Sequence, residues 1–398
     1  MLAPEARRRK VRKHLQGFLD QFAGEADRTR RRFFRQAIGG IVCSGSLIVR
    51  RWCRWINDDR CHEPFYRQKR LLNQLGSEDW KPTLLRADYQ RWAGTLVSAD
   101  TPLLVDLTDL AKPRARKLPY LALVRDGSDP DERLVNGYWC LEIYARLPGK
   151  KMLPLLVQPY SIDDPAVLSE NAQVLAGTEQ VMAATAGKGV LVMDIGGDRG
   201  ELLVPWIDRQ YPFVVRQRGD RTVLLEGGSA MSVAEVAEHL LAAAAPAPLV
   251  WCKVFLPTRP AVPLWLVCHQ TAGHERPLML LTNLAVLSVV QARNVRGYYR
   301  QRWGCEEDVR WLKQEIGLEA WCVRRYHVLP TLLLLACWAM AFLTWMLLHA
   351  GRMLKKAVDK CPGYRQVRFV YYRVLRFLQE LAFTVTVARL PPTRRQNG

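Results

Sequence analysis

A long apolar stretch of this chain runs from Thr331 to Leu348, where eighteen uncharged and mostly apolar residues follow one another. A stretch of this length meets the criterion for a membrane span, but a helix buried on all sides within a protein core has the same composition. It is the only such stretch in the 398 residues, and it follows a strongly charged segment. We therefore predict a buried helix in a layered α/β core and no membrane partner, with a membrane anchor as the alternative.

Short apolar runs alternate with helical segments in the middle of the chain. Leu103–Leu107 is followed by two longer runs, Tyr138–Leu147 and Met152–Tyr160, which the turn sequence PGKK joins as a hairpin. A helical segment then leads into Gly189–Asp194, and a second one leads into Phe213–Arg218. The order strand, hairpin, helix, strand, helix, strand is typical of a mixed sheet with helices packed on it.

Positive charge is concentrated at the two ends of the chain. The 58 Lys and Arg outnumber the 38 Asp and Glu and give a net charge of +20. Residues 1–100 hold 21 basic and 11 acidic side chains, residues 300–398 hold 17 and 7, and the middle is neutral. This pattern favours nucleic acid as the partner, because phosphates neutralised by Lys or Arg release counterions. An anionic lipid surface and simple solubility are the alternatives.

Composition divides the chain into five segments. The first is helical and basic, and we interpret it as a DNA-binding domain with an unlocated recognition element. A central α/β core follows in two parts, separated by a β-rich insertion, and a basic helical region ends the chain. The predicted bounds are 1–98 for the first domain, 99–218 and 287–350 for the core, 219–286 for the insertion and 351–398 for the last region.

Neither the N-terminus nor the cysteines indicate export. The opening residues MLAPEARRRKVRKH lack the apolar stretch that follows the charges of a secretory signal. The ten cysteines are scattered without any C-x2-C pair, which favours free thiols in a reducing compartment over zinc sites or disulfides. We expect a cytoplasmic protein.

Two acidic residues interrupt or end apolar runs. Asp106 lies at the end of LLVDL, and Asp194 ends GVLVMD. A lone acid in such a place is costly to bury unless it is paired, hydrogen-bonded or bound to a metal. Oxygen ligands from two neighbouring strand ends suit Mg²⁺ or Mn²⁺ better than zinc. The alternative is a helix N-cap or a turn, a role that we expect more readily of Asp109 and Asp198.

A third acid belongs to a polar stripe near the C-terminal third. Tyr299, Arg302, Glu306 and Lys313 fall within about 60° of one another if the segment is a regular α-helix. A carboxylate among cations on one helical face suits a divalent metal beside a phosphate. The alternative is a solvated face with favourable charge pairs.

These residues together resemble a known family. The block YYRQRWGCEEDVRWLK is similar to the Y-x2-R-x3-E-x6-K signature of bacterial insertion-sequence transposases of the DDE class, in the family conventionally numbered four. VDLTDLAKP and VMDIGGDRG resemble that family's segments around its first and second acid, and LALVRDGS, NGYW and SEN are similar to segments between them. The resemblance covers roughly residues 100–350. Arg199 stands where the family usually has Tyr or Phe.

The resemblance implies an RNase H-like α/β fold with flanking helices, a β-rich insertion and two divalent ions, Mg²⁺ or Mn²⁺. In relatives a hairpin forms at the transposon end, and an extruded base stacks on a tryptophan of the insertion. The implied roles are catalysis and metal binding by Asp106, Asp194 and Glu306, phosphate binding by Tyr299, Arg302 and Lys313, and base stacking by Trp251 or Trp265.

The function that we expect is a DNA transposase that excises and inserts a mobile element by metal-dependent hydrolysis and strand transfer. Its partners would be double-stranded DNA, as terminal inverted repeats and as target, and a second copy of the chain in a synaptic homodimer. The resemblance places it in the bacterial cytoplasm at the nucleoid. The alternatives are an RNase H-like nuclease or resolvase without strand transfer, and an inactive DNA-binding protein.

Overall fold

A computed structural model gives the structure of this chain and describes most of its residues. The chain forms two compact units, residues 1–92 with 309–398 and residues 93–308. Most of the predicted C-terminal region, 351–398, lies outside the described residues. The described ranges are 4–24, 26–56, 63–77, 82–125, 127, 129, 131, 133–244, 246–271, 273–351, 353–354 and 369–387.

The first unit is helical, as the sequence predicts for the N-terminal domain. Its second helix shows how the local sequence sets the ends. The Asp27 carboxylate accepts hydrogen bonds from the backbone N–H groups of Thr29 and Arg30, and Gly45 ends the helix in the left-handed region at φ 57°. The helices are α1 (Pro4–Leu19), α2 (Arg28–Ser44), α3 (Val49–Trp52), α4 (Pro64–Leu75), α5 (Pro82–Gly94), α11 (Leu329–His349) and α12 (Val370–Val387).

The apolar stretch forms α11, which is the central helix of this unit. Trp338 packs against Phe22 and Phe34 with ring centroids 4.7 and 5.0 Å apart. Helices α1, α2 and α12 also contact α11. The prediction of a buried helix is therefore confirmed, but its predicted place in the α/β core is wrong. The aromatic side chains that cover it come from the N-terminal helices, far away in the sequence.

The same helix is long and apolar enough to cross a membrane. The segment Tyr326–His349 meets the length and composition test, and 83% of its most apolar window is buried within the protein. Burial to this extent is what a core helix requires. A single helix of this kind is weak evidence for a membrane span.

The second unit is built on one eleven-stranded mixed sheet. In order across the sheet the strands are β2-β3-β1-β5-β6-β11-β10-β9-β7-β8, and β4 pairs with β3. Strands β1, β5 and β6 are mutually parallel, and the other pairs are antiparallel. The strands are β1 (Pro102–Ala111), β2 (Ala122–Arg125), β3 (Leu134–Leu147), β4 (Lys151–Tyr160), β5 (Val190–Met193), β6 (Phe213–Arg216), β7 (Thr222–Leu225), β8 (Ala230–Ser232), β9 (Leu249–Leu256), β10 (Arg259–His269) and β11 (Leu278–Thr282).

The predicted order of elements is present in this unit. Strands β3 and β4 form the hairpin, and β5 and β6 follow in order with a helix before each. Gly177 lets the first of these helices approach the sheet, because a Cβ there would lie 2.8 Å from Cδ2 of Leu156. The helices of the unit are α6 (Glu170–Ala184), α7 (Gly200–Asp208), α8 (Val233–Ala243), α9 (Val289–Gln301) and α10 (Trp303–Trp311).

The β-rich insertion continues the same sheet. Strand β11 pairs antiparallel with β6 in the register Leu281 to Val215, and β10, β9, β7 and β8 extend the sheet from there. Hydrogen bonding through β6 joins the insertion to the core, so residues 219–286 are not a separate layer. The second part of the core was predicted to span residues 287–350. In the structure only its residues up to Asp308 belong to the sheet unit, and those after Asp308 belong to the helical unit.

Candidate functional site

Asp106 and Asp194 lie at the same level on neighbouring parallel strands. The parallel pairing of β1 with β5 ends at Leu104 and Val192, and two more residues along each chain bring Asp106 beside Asp194. Asp106 is not at a strand end, as the sequence indicated, because β1 continues to Ala111. Strand β5 stops at Met193, so the edge of β1 facing the second acid is open from there on.

Burial and nearby carboxylates raise the pKa of Asp106. Its carboxyl accepts one hydrogen bond, 3.0 Å long, from the backbone N–H of Leu107. Burial, the negative charge of Asp194 and, more weakly, that of Glu306 raise the pKa of Asp106 to about 6, and Arg302 acts in the opposite direction. The three predicted acids are therefore close enough to affect one another electrostatically.

Arg302 supplies positive charge beside these acids. Its guanidinium donates to Oε1 of Glu306 at 3.1 Å, and its carbon lies 5.8 Å from the centre of the Tyr299 ring. Burial opposes the charge on this side chain, but Tyr299, Asp106 and Asp194 outweigh it and raise the pKa of Arg302. Tyr299 is buried, and its ring packs against the guanidinium of Arg302. Glu306 is half exposed, so its carboxylate stays accessible.

The stripe predicted on one regular helix is divided in the structure. Helix α9 ends at Gln301, α10 begins at Trp303, and a π-helical turn follows at Leu312–Ile316. The helix is interrupted at Arg302 and again at Leu312, so the prediction of one regular helix is wrong. Tyr299, Arg302 and Glu306 nevertheless lie together, because Arg302 contacts both of the others. Lys313 lies on the π-helical turn in the helical unit, where it forms an ion pair of 3.0 Å with Glu319.

The neighbouring acids do not have the capping role expected of them. Asp194 itself caps a short 3-10 turn and accepts a hydrogen bond of 2.8 Å from the Gly196 N–H. Asp198 is instead buried in an ion pair of 2.6 Å with Arg221. Asp109 lies on β1, and its carboxylate accepts a hydrogen bond from Gly127 at 3.4 Å. Because Asp194 caps this turn through Oδ1, the direction of its side chain is fixed, and Oδ2 is left for a ligand.

Arg199 links the turn after Asp194 to the N-terminus of α6. Its guanidinium donates to Glu170 at 2.6 Å and to the side-chain oxygen of Asn171 at 2.9 Å. An aromatic residue here would give a packing contact, whereas this chain uses an ion pair. The departure from the family pattern thus changes the chemistry of the link.

Two charged residues on β3 are missed by the sequence analysis. Glu142 lies directly opposite Asp106 in the β1–β3 register and is fully buried. Arg146 lies on the same face, and its Nη1 would be 2.9 Å from a Cβ at Gly304, in the first turn of α10. Their sequence signal is a pair of opposite charges four residues apart in the apolar run YWCLEIYARL, which reads as an ordinary strand.

The two candidate tryptophans share the sheet face of Asp106. Residues directly paired across strands point to the same face, and so do residues two apart along one strand. Leu104, two residues before Asp106, pairs with Val192, and Val192 pairs with Val214. Val214 pairs with Thr282, which pairs with Trp265. Trp251 is the diagonal neighbour of Trp265 on that face. Both side chains are half-buried, and Lys253 lies opposite Trp265.

Helix α9 presents arginines towards the same face. His269 follows Trp265 and Val267 along β10 and shares their face. Burial lowers the pKa of His269, and the positive charges of Arg296 and Arg300 lower it further. Basic, aromatic and acidic side chains therefore occupy one face of a single sheet.

The carboxylates have the donor chemistry that Mg²⁺ or Mn²⁺ prefers. Among the described residues, no three His, Cys, Asp or Glu side chains are arranged as a formed metal site. Arg302 instead provides the compensating charge. Burial and the negative charge of Asp194 raise the pKa of Asp106, and this fits a cation, because an ion of charge +2 among these oxygens would stabilise the charged carboxylate.

Comparisons with known proteins include a likeness to a solved structure. No protein-family model and no curated protein matches this chain. Among solved structures, the chain is similar to piggyBac transposase in a cryo-EM synaptic complex with hairpin DNA. The two share 13% identity, the match covers 97% of this chain and 80% of that one, and the TM-score is 0.49. A similarity of this size assigns neither family nor function.

Proposed function

We propose that this chain is a DNA transposase of the bacterial insertion-sequence type with an RNase H-like core. It would cut DNA at the ends of a mobile element and join the freed strand to a target. The observation that carries the proposal is the position of Asp106 and Asp194 at one level on adjacent strands, with Glu306 acting electrostatically on Asp106. The signature from Tyr299 to Lys313 agrees with it.

Each residue of this group has a distinct chemical task. Asp106, Asp194 and Glu306 would hold two divalent ions, and such ions activate the attacking water or 3′-hydroxyl and stabilise the leaving oxygen. Arg302 would attract the DNA phosphate and balance the acids, since a guanidinium can bind two phosphate oxygens at once. Tyr299 would keep Arg302 in place through the ring contact.

The aromatic face of the insertion would serve the DNA end. Trp251 and Trp265 are half-buried, and they lie beside Lys253 on the face that carries Asp106. A base that leaves the duplex can stack on such a ring, and stacking contributes about 1–3 kcal/mol per base. We therefore propose that one of these rings receives a nucleotide extruded near the cleaved phosphate. Synapsis of two element ends would need a second copy of the chain.

The first experiment is cleavage of DNA that carries an element end and its flank, with Mg²⁺ present. We expect Glu306→Gln to reduce cleavage about a thousandfold while binding to the end is retained, because the amide keeps the shape but loses the charge of a metal ligand. Cleaved strands are measured on a denaturing gel and binding by mobility shift.

Glu307 provides the matched control, since it is the next residue of the same helix and is also exposed. Glu307→Gln removes the same charge and is expected to cleave normally. Equal cleavage by wild type and Glu306→Gln would refute the assignment of the site.

An RNase H-like nuclease or resolvase would use the same carboxylates. The two functions differ in the second step, where a transposase uses the 3′-hydroxyl of a DNA strand as the nucleophile. A strand-transfer assay with pre-cleaved ends separates them. Joined products are expected for the transposase, and cleavage without joined products would indicate the nuclease.

A further inference from the structure

Eight arginines line one groove in the helical unit. The groove has a volume of about 930 Å³, and none of the described residues that line it is an Asp or a Glu. The guanidiniums come from several elements that are separate in the sequence. They are Arg8 and Arg12 of α1, Arg28, Arg32 and Arg35 of α2, Arg54 after α3, and Arg67 and Arg70 of α4.

The helices are arranged so that these arginines share the groove. Arg28, Arg32 and Arg35 are spaced at four and three residues, which places them on one face of α2. The opposite face of α2 is buried in the unit, with Phe34 and Ile38 among its buried residues. The packing of α2 therefore directs its arginines to the groove.

Hydrogen bonds fix the wall formed by α4. Arg70 donates to the side-chain oxygen of Gln36 on α2 at 2.8 Å, and Arg67 donates to the carbonyl oxygen of Ile56 at 2.8 Å. These contacts hold two guanidiniums in place between elements. Arg28, Arg35 and Arg54 are exposed to solvent. The groove thus combines an ordered wall with accessible charge.

The groove also has an apolar surface. Val11 and Trp55, both half-buried, line it together with the mostly buried side chains of Leu15, Phe342, Leu378 and Leu381. A simple phosphate site would not need this surface. A chain of phosphates that also carries flat apolar groups would use both parts.

We propose that this arginine groove binds an unpaired DNA strand, with phosphates on the guanidiniums and bases on the apolar surface around Trp55. Positively charged grooves with aromatic side chains bind single strands in this way. A duplex keeps its bases paired and stacked, so it would leave the apolar surface exposed to water. The volume is near the upper end for small-molecule pockets, which suits a few nucleotides. The inference rests on the proposed function only for the choice of DNA.

The test measures binding by fluorescence anisotropy, with the full chain in EDTA and a labelled oligothymidine over a series of salt concentrations. A duplex of the same length is the second probe. We expect tighter binding of the single strand. The combined variant Arg28→Gln, Arg35→Gln and Arg54→Gln should lower that affinity about tenfold or more and reduce the slope of log K against log salt by about 2, at roughly 0.7 per lost phosphate contact.

The charge control is the combined variant Arg9→Gln, Lys10→Gln and Lys13→Gln, because these exposed residues of α1 do not line the groove. It removes the same charge and should change the slope much less. Trp55→Ala should weaken single-strand binding about tenfold with an unchanged slope, whereas Trp55→Phe should restore most of it. Tyr66→Ala, at an exposed ring outside the groove, should have no such effect. Circular dichroism confirms that each variant is folded.

Two results would overturn the inference. One is equal binding of duplex and single strand with equal losses in the groove variant, which would indicate a site for duplex backbone. The other is a charge control that loses as much affinity as the groove variant. Because the assay contains EDTA and measures no cleavage, its outcome is independent of the Glu306→Gln experiment.

Discussion

Asp106 is held in a position that disfavours its own charge. The side chain is largely buried, and the negatively charged Asp194 lies beside it. A carboxylate in such surroundings is a feature of sites that bind cations or transfer protons, where stability is lost in exchange for function. The cost appears as a dependence of stability on pH.

We expect Asp106→Asn to stabilise the protein at pH above about 7 in EDTA by up to about 3 kcal/mol. The pKa of Asp106 is raised to about 6, above its value of about 4 in an unfolded chain, and each pKa unit corresponds to about 1.4 kcal/mol. As pH rises from about 4 to about 6, the unfolded chain gives up this proton first, so the wild type loses stability. Urea denaturation of both proteins across this range measures the difference.

The control is the same comparison at about pH 2–3, well below the pKa of about 4 in the unfolded chain. There the carboxyl is protonated in both states, so the advantage of Asp106→Asn should disappear. A stability difference that stays constant from pH 4 to pH 8 would contradict the raised pKa.

At the level of elements, close contacts around the glycines of unit 93–308 test the packing of the sheet. A Cβ at Gly137 on β3 would lie 2.7 Å from the carbonyl oxygen of Leu110, which is backbone and cannot move aside, whereas a Cβ at Gly297 on α9 meets nothing within 4 Å. We expect Gly137→Ala to destabilise by about 1–3 kcal/mol and Gly297→Ala to stabilise by about 0.5–1 kcal/mol. Thermal denaturation measures both. Similar effects from the two substitutions would contradict this packing.

Local signals predicted some elements well. The hairpin of β3 and β4 follows from two apolar runs and the turn PGKK, because all the determining contacts are close in the sequence. The sequence also predicted that Asp194 lies at the end of its strand, and Asp194 directly follows Met193, the last residue of β5. The continuation of β1 past Asp106 was missed, since TDLA after the acid lacks a strong apolar pattern and its pairing partner lies on β3.

Other features depend on contacts that no local pattern contains. The pairing of β11 with β6 and the burial of α11 among N-terminal helices each join residues far apart in the chain. No proline near Arg302 indicates in the sequence that α9 and α10 are separate helices. Glu142 is recognisable as part of the site only once the register places it opposite Asp106.

For the whole molecule, the structure predicts that residues 93–308 fold without the rest of the chain. Every strand among the residues that the structure describes belongs to this unit, and its sheet is continuous. Residues 1–92 alone should not unfold cooperatively, because α1 and α2 pack on α11 and α12. Circular dichroism during thermal denaturation of the two fragments tests both statements. Addition of residues 309–398 in trans should restore cooperative unfolding to the first fragment, and a cooperative transition without them would contradict this arrangement.

The position of α11 has a consequence for biosynthesis. A ribosome adds about 5–20 residues per second, so the N-terminal helices emerge roughly 15–60 s before the helix that covers their apolar side chains. During that interval Phe18, Phe22 and Phe34 have no native partner on α11, and the nascent chain is exposed to aggregation. The arginines between these aromatic residues keep the N-terminal segment hydrated until α11 is made. They also make this segment a target for nucleic acid in the translating cell.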